Sequence, residues 1–79
     1  MDWKERIVTD PDVGFGKPRI KGTRITVEFL MGLFAAGWNE QQVLENYPHL
    51  TREDLQAAFA LAAEMLSEED FVVTGKLVA

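Results

Sequence analysis

From Val27 onward the apolar residues return every three to four positions, and before it they come in short β-branched pieces. Val27, Leu30, Met31, Phe34 and Trp38 fall at helical spacing. Thr26 is placed to cap the first turn, Glu28 favours its positive end, and Gly37 supplies a terminator. Asn39 opens a second helix, and Gln42, three residues on, completes a capping-box pattern. Val43 and Leu44 are its expected buried face. It must end near Tyr47, because Pro48 disfavours helix in the residue before it.

Thr51 opens a third helix with Asp54 at its third position, and Leu50 is placed to staple onto Leu55 across the cap. Leu55, Ala58, Phe59, Ala62 and Leu66 form the stripe expected to face the core. Ser67-Glu68-Glu69-Asp70 ends the helix. The nine residues after it, 71–79, are apolar and β-prone, which is unusual for a free terminus.

Ahead of the helices, Arg6-Ile7-Val8-Thr9 reads as a strand closed by Asp10-Pro11-Asp12. Residues 13–18 form a loop whose glycines permit positive φ. Arg19-Ile20-Lys21 and Thr23-Arg24-Ile25 are extended pieces joined at Gly22, with Ile20 and Ile25 inward and the bases outward. Strands this short need partners, so they are expected to pair with each other or across a dimer axis. The fold class that results is mainly α: a three-helix, helix-turn-helix unit over 26–66, preceded by a β segment over 1–25. A tail over 67–79 completes one domain.

Length sharpens the dimer expectation. A chain of 79 residues without cysteine lies near the lower limit for a self-sufficient core, and association is the natural supplement. The N-terminus has no apolar run behind a basic start, and no stretch has the length of a membrane span. A protein of the cytoplasm, with no membrane contact, is therefore expected. The absence of cysteine suits that compartment.

The net charge of −5 conceals an asymmetry. Residues 1–25 carry six bases (Lys4, Arg6, Lys17, Arg19, Lys21, Arg24) against four acids, and 26–79 carry two bases against nine acids. A basic end and an acidic body suit two different partners. In a DNA-binding helix-turn-helix, the N-terminal part of the second helix enters the major groove. Here that presents Arg52, Glu53 and Gln56, with Arg52 suited to guanine or phosphate and Gln56 to adenine. Glu53 and Asp54 oppose this by repelling phosphate. The offset would come from the basic strip Lys17, Arg19, Lys21 and Arg24. The same pattern also describes a three-helix core that never touches DNA.

Little in the chain suggests catalysis. His49 is the one histidine, sits in the inter-helix turn, and has no evident orienting partner. Gly14-Phe15-Gly16-Lys17 lacks phosphate-loop spacing. Glu68, Glu69 and Asp70 read as a solvated helix end, and no metal or cofactor is expected. Trp3, Trp38 and Tyr47 are expected as core or interface anchors.

The run Gly16-Lys17-Pro18-Arg19-Ile20-Lys21-Gly22-Thr23-Arg24-Ile25-Thr26-Val27, with Arg6-Ile7, Asp10-Pro11 and Val13 before it, resembles the family catalogued as domain of unknown function 433. Ala36-Gly37, Tyr47-Pro48-His49-Leu50-Thr51 and Asp54-Leu55 extend the resemblance, which runs from about Arg6 to Leu66. Gly16, Pro18, Gly22, Thr23, Arg24 and Ile25 are the motif positions. The tail looks individual to this chain. The resemblance implies a small prokaryotic protein with an N-terminal β segment and a homeodomain-like three-helix unit, similar to VapB-type antitoxins, which are partners of PIN-like ribonuclease toxins.

That implied role is compatible with the charges. Glu64, Glu68, Glu69 and Asp70 would cover a basic ribonuclease surface, and Phe71 and Val73 would add a strand to a partner's sheet. The tail folding back on this protein's own β segment, or onto its dimer mate, fits equally well. The expected function is thus an antitoxin-like regulator that neutralises a PIN-like toxin and binds operator DNA. The alternative is a protein-interaction or dimerisation module whose helix-turn-helix no longer contacts DNA.

Overall fold

Three local caps define where the helices begin. In the computed structural model, which describes residues 2–12 and 16–67, α1 spans Val27–Ala35, α2 Glu40–Asn46 and α3 Arg52–Leu66. The Thr26 side chain accepts from the Phe29 amide at the start of α1. Asn39 and Gln42 exchange hydrogen bonds of 2.8 Å in both directions at α2, and Thr51 and Asp54 do the same at α3 at 3.2 and 3.0 Å. Each reciprocal pair satisfies two backbone donors that the first helical turn leaves open.

The exit from α1 is a Schellman turn. Gly37 takes φ +100°, its amide donates to Phe34 O at 3.0 Å, and the Trp38 amide reaches back to Leu33 O at 3.1 Å. The chain can then reverse into α2 within four residues, 36–39.

The β segment is smaller than the sequence predicts. A 3-10 turn at Trp3–Glu5, capped by Asp2, precedes β1 (Ile7–Val8). This strand pairs antiparallel with β2 (Arg19–Ile20), Ile7 opposite Ile20 and Val8 opposite Arg19. Arg6 and Thr9 therefore fall outside the strand. Thr23-Arg24-Ile25 is not a strand: the chain turns at Gly22 and returns through one bridge, Arg19 to Thr26. The partner of β2 is thus β1, and Ile20 and Ile25 also meet, Ile20 N donating to Ile25 O at 2.8 Å.

The core gathers Ile7 and Ile20 from the sheet, Val27 and Leu30 from α1, and Val43 from α2. Leu50 precedes α3 and Leu55, Ala57, Ala58 and Leu61 lie on it. Leu50 and Leu55 are both buried, as a staple requires, and Trp3, Trp38, Tyr47 and Leu44 pack half-buried around the core.

α3 departs from the expected stripe. Leu55 and Ala58 are buried, but Phe59 and Leu66 remain 45% and 58% exposed, while Ala57 and Leu61 are buried instead. The inward arc is turned by roughly a quarter of the helix circumference from the stripe the sequence suggests. The sheet and the N-terminal turn pack on α3 as well as α1 does, and this pulls the Ala57–Leu61 side inward.

Candidate functional site

An apolar groove on the outside of the α1–α3 pair

The rotation of α3 leaves apolar side chains at the surface beside α1. A groove of about 420 Å³ runs there, lined by Pro18, Val27 and Met31 on one wall and Ala62, Met65 and Leu66 on the other. Lys17 and Glu28 form its charged rim, where they are ion-paired. One helical turn further along, Phe34 and Phe59 pack as a tilted pair with ring centroids 4.8 Å apart, continuing the strip. Met65 and Leu66 are more than half exposed. A strip of this kind is the usual signature of an interaction surface on a small domain.

The expected DNA-binding residues separate into three places. Lys17 stands on the groove rim with Glu28. Arg19 and Arg24 line an open polar cleft with Gly22 and Thr23 at the β2 turn. Arg19 does not project outward: it is half-buried, and its Nη1 donates to Thr23 O at 3.0 Å. Lys21 and Arg24 are exposed as expected. Arg52 and Gln56 lie exposed one turn apart on α3, with Arg52 Nε 3.2 Å from Glu40 on α2.

Asp54 does not oppose phosphate at the tip of α3. It is 9% exposed, its carboxylate closes the Thr51 cap, and it receives Arg6 Nη1 at 3.2 Å. Glu53 alone remains as the exposed acid of that turn pair.

Of the expected partner-binding residues, Glu64 is placed on the exposed side of α3, where it accepts a hydrogen bond from the Trp3 indole. Glu68, Glu69, Asp70, Phe71 and Val73 lie outside the described residues. His49 is exposed in the turn between α2 and α3. No cluster of three or more potential metal ligands occurs among the described residues. No described helix is long and apolar enough to cross a membrane.

The sequence reading did not find Met31, Ala62 and Met65 as a surface. A signal was present: α3 carries more apolar positions than one face can bury against a chain this small.

Comparison with known proteins agrees with this architecture. Residues 7–62 match the family described as "Protein of unknown function (DUF433)". The chain belongs to that family. Its structure resembles the crystal structure of a DUF433 member protein from Anabaena variabilis ATCC 29413, with a TM-score of 0.74 and 35% identity. The alignment covers 87% of this chain and 66% of that one, so this chain spans just under two thirds of its relative's length. No curated protein matches the chain.

Proposed function

We propose that the protein is an antitoxin-like binding protein of the cytoplasm, acting as a homodimer, whose α1–α3 groove holds a PIN-like ribonuclease toxin. The observation that carries this reading is the apolar strip in which exposed Phe59, Met65 and Leu66 lie beside half-buried Met31, Phe34 and Ala62. Surface of this kind is costly to leave in water, and an amphipathic segment of a partner would remove it from water. The acidic residues that follow α3 in sequence are suited to a nucleic-acid-binding protein's basic surface. The role is one of binding, not catalysis, in keeping with the exposed position of His49 in a turn.

Capture of the tagged chain from its native host tests the reading. Stoichiometric recovery of a small PIN-like ribonuclease, inhibited while bound, is the expected result. Recovery of the chain with itself alone would reassign the groove to a contact between copies and leave a dimerisation module.

A second reading, operator binding through α2 and α3, is favoured by one observation. Asp54 is neutralised by Arg6 and turned into the cap, so the exposed pair on α3, Arg52 and Gln56, meets one acid fewer. This reading requires Arg52 to exchange Glu40 for DNA, and salt-dependent binding to the upstream duplex tests it.

A further inference from the structure

The turn after β2 leaves hydrogen-bonding capacity unused. Arg19 commits Nη1 to Thr23 O at 3.0 Å, and its Nε is buried with no acceptor among the described residues. A buried guanidinium donor without a partner is unfavourable and calls for an acceptor. The remaining Nε–Nη2 edge of Arg19 is the fork that matches two oxygens of an oxyanion.

The surroundings suit an anion. Arg19, Gly22, Thr23 and Arg24 line the cleft, with no carboxylate among them. The amides of Gly22 and Arg24 have no acceptor among the described residues. Gly22 takes φ +83°, and no atom lies within 4 Å of where a β-carbon would stand, so the turn is open to close approach. Thr23 contributes rigidity: its hydroxyl donates to Ile20 O at 2.9 Å and accepts from the Ile25 amide at 3.0 Å.

We propose that this hairpin is a phosphate-binding site. On binding, the Arg19 guanidinium exchanges Thr23 O for the anion and turns its Nε–Nη2 edge to the cleft, Arg24 closes from the exposed side, and the turn amides supply further donors. The shared chemistry is a phosphate group, free or in a nucleic-acid backbone. The site is separate from the apolar groove and does not depend on the toxin reading.

The test is a nitrogen–proton NMR titration of the full chain with inorganic phosphate, then with a short DNA duplex at low salt. Saturable shifts of the Arg19 Nε–H and of the Gly22 and Arg24 amides are expected. Arg24→Ala, on an exposed side chain, and Arg19→Lys, which keeps the charge but removes the fork, should each weaken binding roughly fivefold or more. Lys4→Ala removes one charge elsewhere and should weaken it by less than about twofold. Equivalent shifts at roughly tenfold lower phosphate in the duplex identify nucleic acid as the source, and a response to inorganic phosphate alone identifies the free ion. No saturable shift with either probe, or an equal loss in Lys4→Ala, overturns the proposal.

Discussion

Arg6 and Asp54, forty-eight positions apart in sequence, meet at 3.2 Å, and the same carboxylate caps α3 through its other oxygen. One side chain thus ties the residue before β1 to the first turn of the longest helix. Asp54 is nearly buried while Arg6 keeps about two fifths of its side chain in solvent, so the aspartate has more to lose from a missing partner.

Asp54→Ala removes both the cap and the ion-pair acceptor. A loss of about 2–3 kcal/mol is expected, with a fall in Tm on the order of 10 °C. Asp54→Asn keeps an oxygen for the cap and should lose roughly half as much. Equal losses for the two variants in urea unfolding would show that the cap oxygen contributes nothing and that the charge carries the whole effect.

Two glycines in or beside α1 should respond to alanine with opposite sign. Gly32 is exposed within the helix, with nothing near its prospective β-carbon, so Gly32→Ala should stabilise by about 0.5–1 kcal/mol. Gly37 holds φ +100° in the Schellman turn, and Gly37→Ala should destabilise by about 1 kcal/mol. Thermal denaturation of the pair checks this, and shifts of the same sign would contradict the turn geometry.

The facing of α3 predicts unequal costs for its apolar residues. Leu61→Ala, at a 7% exposed core position, should cost about 2–4 kcal/mol. Leu66→Ala, more than half exposed, should cost less than about 1 kcal/mol. The reverse order in denaturant titration would restore the stripe through Phe59 and Leu66 as the buried face.

The three helix starts were legible because capping is local: Thr26, Asn39 with Gln42, and Thr51 with Asp54 find their partners within three residues. The facing of α3 was not. Leu55, Ala58, Ala62 and Leu66 fit helical spacing as well as Leu55, Ala58 and Leu61 do, and distant packing decides between them. Arg19 follows the same logic. Alternation along β2 sends it outward from Ile20, but the turn at Gly22 brings the Thr23 carbonyl within its reach. The candidate groove was hidden for the reason the stripe was misassigned, since residues read as core are its lining.

Arg52 offers a contrast between stability and binding. Its pair with Glu40 is exposed on both sides, so Arg52→Ala should change stability by less than about 0.5 kcal/mol. If α3 reads operator DNA, the same variant should weaken binding and reduce the salt slope by about one. Unchanged affinity and slope in a gel-shift salt series would remove α3 from the DNA interface.

The most direct measurement is the affinity of the partner that capture recovers, a PIN-like ribonuclease on the proposed function, for the wild-type chain and for Met31→Asp combined with Leu66→Asp, with thermal unfolding in parallel. Both positions line the groove, and neither belongs to the fully buried core. The account predicts a folded double variant that binds at least about a hundredfold more weakly and no longer inhibits the ribonuclease. A double variant that keeps its fold and still binds at wild-type affinity would contradict the groove as the partner site.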